Sequence, residues 1–223
     1  MTMSKTRLRI RFTKCGDLRW ISHRDLARVW ERLLRRANLQ LAFSQGFHPK
    51  PRISFPSALA LGIEALDEIV ELEILGEFQL VQIEADIRRE IPAGMELLEL
   101  SSPAHELGKA KVIGASYRVK IPEEQRPQLV EQIKHLLGQQ MIEIPRDEKI
   151  VTCDPQDPNF ELRVEDEFLF FSLPATAAGS VRPSEMLECL GLPELLAEGA
   201  TLQRTRVHLR EPATVPIRAD ATT

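Results

Sequence analysis

Cysteine is scarce in this 223-residue chain. Cys15, Cys153 and Cys189 are odd in number and widely scattered, which excludes a disulfide framework and a CxxC metal knuckle. Reduced thiols in the cytoplasm are the expectation. Long apolar runs are also missing. No stretch approaches the roughly 20 residues that span a bilayer as a helix, so no membrane partner is expected. The opening MTMSKTRLRIRF is basic but lacks the apolar segment of a secretory signal, which predicts an intracellular chain. No P-loop, dinucleotide fingerprint or nucleophile elbow occurs. No cluster of His, Cys or carboxylates sits at ligand spacing, so no metal site is expected.

What is present describes a globular protein. The hydrophobic fraction of 43% suffices for a packed core, and 28% charged residues is ordinary for a surface. The length fits one large domain or two of about 100 residues. The net charge of −4 conceals a segregation. Residues 1–56 carry thirteen Lys and Arg against three Asp and Glu, a surplus of ten positive charges. The remaining residues carry sixteen against thirty, a deficit of fourteen. A basic face able to meet phosphate is one consequence. Mutual neutralisation across an internal interface is the other.

The first half reads as strand–helix–strand–strand–helix–strand. Leu8, Ile10 and Phe12 alternate with Arg7, Arg9 and Arg11, giving a strand with one greasy and one basic face. Leu18 to Ile21 extends it or forms a hairpin arm. Ser22 then caps a helix, with Asp25 placed to reach back in a capping-box-like arrangement. Leu26, Val29, Trp30, Leu33, Leu34 and Ala37 form its buried stripe, and Arg24, Arg28, Arg32 and Arg36 an i, i+4 basic ridge. Glu31 is the within-helix partner expected for Arg35. Leu39 to Phe43 is a further strand candidate, and Ser44 to Arg52 is too rich in Gly and Pro for regular structure. Ile53 to Phe55 and Leu59 to Ile63 return toward a sheet. Glu68 to Leu75 alternates as a strand, Leu80 to Ile91 is a helix ended by Pro92, and Met95 to Leu100 is a short strand.

Residues 101–114 lack periodicity and mark the expected junction. Beyond it, Tyr117 to Ile121 and Met141 to Pro145 read as strands around a helix from Gln125 to Leu137. Phe160 to Val164 and Glu167 to Leu173 read as a hairpin, Pro183 opens a helix to Leu190, and Leu202 to Leu209 is a last strand with Arg204 and Arg206 on one face. Val151 to Asn159 and the residues after Pro212 are expected to be loop or disorder. The fold class is therefore α+β, as tandem ferredoxin-like sandwiches of antiparallel sheets with helices on one face. The domains expected are 1–105 (basic) and 112–212, with a disordered tail at 213–223.

Chemistry concentrates between Trp20 and Phe55. His23 lies in the first turn of the helix and His48 in the loop that also holds Gly46, Lys50 and Arg52. If loop and helix start meet, free N–H groups, a positive dipole end and several cations make an anion site. Pro49 and Pro51 would hold Lys50 extended, and Gly46 would admit close approach of a ligand. The binding candidates are Lys14, Ser22, His23, Arg24, Arg28, Arg32, Arg36, Gly46, His48, Lys50 and Arg52. As catalytic candidates, His23 and His48 could act as acid and base in metal-independent RNA cleavage.

The stretch FTKCGDLRWISHRDLARVWERLLRRANLQLAFSQGFHPKPRISF resembles the opening of the radical-SAM-linked protein family, a bacterial domain of unknown function. The matching positions include Phe12, Lys14, Gly16, Ile21, Ser22, His23, Asp25, Leu26, Arg28, Glu31, Arg32, Arg35, Arg36 and Ala37. They continue through Gly46, Phe47, Pro49, Pro51, Ile53, Ser54, Phe55, Leu59, Leu61 and Gly62, and more loosely at Arg182-Pro183 and Arg204-Thr205. Lys50 departs from the histidine expected in relatives. Members occur alone or joined to the C-terminus of a radical-SAM protein, and the resemblance implies such a partner, carrying an iron–sulfur cluster and S-adenosylmethionine. This chain has no CxxxCxxC run of its own and is expected to hold no cofactor. The leading expectation is an accessory or substrate-presenting protein that binds structured RNA. A nuclease using His23 and His48, or a pure protein-interaction partner of the radical-SAM subunit, are the alternatives.

Overall fold

The computed structural model describes residues 5–76, 78–103, 108–147, 149–176 and 179–210. Strand β1 (Lys5–Lys14) keeps Leu8, Ile10 and Phe12 wholly buried on one side, as alternation requires. A 3-10 turn, Gly16–Trp20, then leads into helix α1 (His23–Arg36). Strand β2 is only Ile53–Ser54, and β3 runs Glu64–Leu75. Helix α2 (Leu80–Glu90) and β4 (Leu97–Ser101) complete the first half. The second half comprises β5 (Val112–Lys120), α3 (Arg126–Leu137), β6 (Ile142–Arg146), β7 (Lys149–Cys153), β8 (Glu161–Glu165), β9 (Phe168–Pro174), α4 (Pro183–Cys189) and β10 (Gln203–Leu209).

This is a mixed α+β protein with a mostly antiparallel sheet. The strands run β4-β1-β3-β10-β5-β9-β8, with β2 paired to β3 off that path, and β6-β7 form a separate hairpin. One parallel contact, Gln203 and Arg204 of β10 beside Glu64 and Ala65 of β3, makes the sheet continuous between the halves. Two hydrophobic cores lie against it. One gathers Leu8, Ile10 and Phe12 with Trp30 and Leu33 of α1 and Ile87 of α2. The other gathers Tyr117, Val119 and Phe171 with Leu129 of α3 and Met186 of α4. Ile63 of the first half belongs to this second core.

Several expected elements differ. Leu18 to Trp20 coil into the 3-10 turn because Gly16 takes a left-handed φ of 62° and turns the chain out of the sheet. Leu39 to Phe43 makes only two isolated bridges, Leu41 to Ile74 and Phe43 to Pro51, and Leu59 to Ile63 forms no strand. Val151 to Cys153, expected as loop, closes a β6–β7 hairpin whose turn places Asp147 at a φ of 51°. Arg204 and Arg206 do not share a face. A register shift between them against β5 sends Arg204 into the interior and leaves Arg206 exposed on the opposite side. The tail at 213–223 lies outside the described residues.

Candidate functional site

Ser22 caps α1 as its residue type dictates. Its hydroxyl oxygen accepts the Asp25 N–H at 3.1 Å, and the hydroxyl donates to the Asp25 carboxylate at 2.7 Å. Asp25 thus reaches the Ser22 side chain, one bond short of the full reciprocal box. The same carboxylate accepts Arg28 at 2.9 Å. The Ser22 hydroxyl, and after it the Arg28 guanidinium, hold its pKa below the usual carboxylate range. Arg28 therefore has a within-helix partner that the sequence reading assigned only to Arg35, which does pair with Glu31 at 2.6 Å.

The ridge divides into free and tied members. Arg24 and Arg32 are exposed and have no carboxylate within ion-pair distance among the described residues. Arg36 instead clamps α2, donating to the Glu90 carboxylate at 2.9 Å and to its carbonyl oxygen at 3.0 Å. Its part is structural. Lys14 also leaves the surface set: it is 2% exposed, on the core side of β1 beside Glu68 and Arg204, and burial pushes its pKa down.

No hydrogen bond or ion pair links the helix start to the 44–52 loop among the described residues. The His23 ring packs edge-on against Phe55 at 5.0 Å, the outer end of a chain through Phe12 to Trp30. His48 is exposed and makes no hydrogen bond, ion pair or ring contact among the described residues. The loop is held across its base, where the Ser44 N–H donates to the Lys50 carbonyl at 2.9 Å and the Lys50 N–H to the Ser44 hydroxyl at 3.0 Å. Arg52 braces that base, reaching Phe43 O and Glu73 at 3.4 Å each. Gly46 has open space where a Cβ would stand, so its φ of 126°, not close packing, demands glycine. Beside it, Phe47 is fully exposed.

Two further features went unread in the sequence. Trp20 is 62% exposed, with Arg19 stacked on it at 5.1 Å and Gly62 so close that a Cβ there would lie 3.0 Å from the indole. On the sheet face away from the cores, a cleft of about 650 Å³ is lined by Arg9, Arg11, Arg206, His208 and Arg210, together with Glu99, which lies 3.9 Å from Arg11. Burial, then Arg206 and Arg11, lower the His208 pKa, and its ring meets Ser116 at 2.7 Å. The basic alternation of Arg7, Arg9 and Arg11 was the signal for this cleft. Its β10 partners depended on a strand pairing that spans most of the chain.

Buried charge links the halves on both sides of the sheet. Arg204 (1% exposed) pairs with Glu68 (1% exposed) and donates to Ser57 Oγ at 2.9 Å and Ala58 O at 3.2 Å. Burial raises the Glu68 and Tyr117 pKa values against the lowering pull of Arg204. Opposite, Asp67 accepts Arg11 at 2.5 Å and the Val207 N–H at 2.9 Å. No group of three or more His, Cys, Asp or Glu able to hold a metal occurs among the described residues.

No curated protein matches the chain. Among solved structures it is similar to an unknown protein from Galdieria sulphuraria, at 8% identity and TM-score 0.31, covering 93% of this chain and 100% of that one. It is similar at 8% identity and TM-score 0.26 to a putative glycine cleavage system transcriptional repressor, covering 92% and 99% respectively. Likeness this distant carries no inference. A family profile does match, over residues 7–183, which hold α1, the 44–52 loop and the Glu68 side of the buried pair. The chain belongs to that family, described as an uncharacterized protein conserved in bacteria (DUF2344).

Proposed function

We propose that this chain is a binding module that holds a phosphate-bearing partner, structured RNA, for a radical-SAM enzyme that performs the chemistry. One observation carries the reading: Arg24 and Arg32 stand exposed on one face of α1 without carboxylate partners among the described residues. Free guanidinium groups suit phosphate oxygens, and exposed rings such as Phe47 and Trp20 suit base stacking. The radical-SAM link rests on the dense motif match between Phe12 and Gly62. Work in the cytoplasm fits three cysteines that form no disulfide.

A finer fold reading accompanies this. The orders β4-β1-β3-β2 and β10-β5-β9-β8 support a ferredoxin-like plan in each half, and two separate cores support units near 1–105 and 112–212. The nuclease alternative has less behind it, because no contact joins His23 to His48. Filter binding to total bacterial RNA across a salt series tests the reading. Affinity falls with salt in proportion to the phosphate contacts made, and Arg24→Gln with Arg32→Gln reduces the slope by roughly 0.7–0.9 per arginine. Salt-insensitive or absent binding refutes it. Co-purification with a radical-SAM subunit that survives nuclease treatment, and is lost with Arg28→Glu, favours protein docking instead.

A further inference from the structure

A cavity of about 510 Å³ opens on the core side of the sheet, where the two halves meet. Its size lies within the roughly 300–1,000 Å³ typical of small-molecule sites. Leu59, Ile63, Ala115, Leu173, Val181 and Leu202 supply apolar wall, drawn from the 57–63 loop between β2 and β3, from β5 and β9, and from the approaches to α4 and β10. The charged residues of the lining are two arginines, Arg182 and Arg204, with no carboxylate among the described residues. That is notable in a second half so rich in acid.

The two arginines differ in role. Arg204 sits in the wall beside Tyr117, already engaged by Glu68 and Ser57. With Lys14 close by, this buried cluster sets two basic groups against one carboxylate. Arg182 has a side chain 66% exposed, so it stands where the cavity meets solvent. Its nearest carboxylate, Glu185, is 3.8 Å away and is already taken by Arg146 through bonds of 2.6 and 2.5 Å. The mouth therefore offers an exposed guanidinium that shares one carboxylate, Glu185, with Arg146, above an apolar chamber.

We infer that this cavity binds an amphipathic carboxylate, its apolar chain against Leu59, Ile63 and Leu173 and its head group on Arg182. Chain burial supplies affinity, at a gain for each methylene removed from water, and Arg182 selects anion over cation. The site stands apart from α1 and does not depend on RNA binding.

Titration of the full chain with decanoate, decan-1-ol and decylamine, followed by calorimetry below micellar concentrations, tests it. Decanoate binds at one equivalent and most tightly. Arg182→Gln weakens decanoate about fivefold and leaves decanol within twofold. Ala60→Trp and Ser184→Trp, both at exposed wall positions, weaken decanoate and decanol at least tenfold by filling the chamber. Two filling variants are used so that one poorly folded protein, recognised by circular dichroism, leaves the other decisive. Absence of saturable decanoate binding, equal affinity for decylamine, binding beyond one equivalent, or indifference to both tryptophans overturns the inference. RNA filter binding by the same variants stays at the wild-type level, so failure here is distinct from failure of the RNA reading.

Discussion

Replacing Arg204 by Met should be among the most damaging single changes in the protein. Arg204 of β10 holds Glu68 of β3, Ser57 Oγ at 2.9 Å and Ala58 O at 3.2 Å, so it ties both halves and the 57–63 loop together. Removing it strands a carboxylate that is 1% exposed. Breaking a buried pair from one side costs about 3–5 kcal/mol, which in a chain this long lowers the melting midpoint by about 6–20 °C. The cost also depends on pH. Burial raises the Glu68 pKa even with Arg204 present, and its loss raises that pKa further. Native Glu68 then keeps a proton that the unfolded chain releases near its ordinary value of about 4.3. Stability is therefore fullest below that value and declines as pH rises, by up to about 1.4 kcal/mol per unit, until Glu68 ionises in the native state. Urea denaturation at pH 5 and pH 8 measures both effects. Adding Glu68→Gln to Arg204→Met should recover at least half of the pH 8 loss and flatten the slope. A loss below about 1 kcal/mol at both pH values, or a double variant equal to the sum of the singles, refutes the account.

Other outcomes follow from local geometry. The Arg146 guanidinium holds the Glu185 pKa below the usual carboxylate range, so the pair's stabilisation is present above the unfolded value and lost as pH falls through the folded one. Glu185→Gln should cost about 1.5–3 kcal/mol at pH 7, a gap to wild type that closes in acid; a gap constant from pH 7 to pH 3 contradicts this. At Gly94, with φ 85°, a Cβ would stand 2.9 Å from the Cys15 carbonyl, while at Gly16, with φ 62°, it meets nothing within 4 Å. Gly94→Ala should therefore destabilise by about 1–3 kcal/mol and Gly16→Ala by less, and chemical denaturation giving the reverse order refutes the packing argument. Burial, then Asp157 and Asp154, push the Cys153 thiol up to about 11. Iodoacetamide at pH 8 should leave Cys153 unmodified in native protein and label it after denaturation, by mass spectrometry of its peptide. Rapid native labelling contradicts that burial.

Local signals were legible where one residue type sets one geometry. Ser22 caps α1 because its hydroxyl meets a free N–H three residues on, and the alternation of Leu8, Ile10 and Phe12 requires only a flat strand. The failures come where tertiary pairing decides. Arg204 and Arg206 look equivalent under a two-residue period, and only a bulge against β5 separates them. The helix start and the 44–52 loop share basic composition, yet the aromatic chain from Trp30 to His23 and the brace from Arg52 to Glu73 draw them to different neighbours.

The charge count shows the same limit, and it narrows the candidate interface. A surplus of ten in residues 1–56 indicates a broad basic face only if those charges stay unpaired. Strand β3 neutralises much of it. Antiparallel pairing sets Arg9 opposite Glu71, and the ion pairs Arg9–Glu71, Arg11–Asp67 and Arg52–Glu73 follow, with Arg19 3.8 Å from Glu64 and Lys14 buried beside Glu68. Glu90 of α2 removes Arg36 in the same way. The basic stripe on α1 thus contracts to Arg24, Arg28 and Arg32, of which Arg28 is shared with Asp25, while Lys50 of the 44–52 loop is exposed with no ion pair among the described residues. If RNA is the partner, so few phosphate contacts give a modest affinity from charge alone and a slope of only about 0.7–0.9 per contact in log affinity against log salt. Stacking at the exposed Phe47 and Trp20 would add affinity without adding to that slope, so Phe47→Ala separates charge from stacking by weakening binding while leaving the salt slope unchanged.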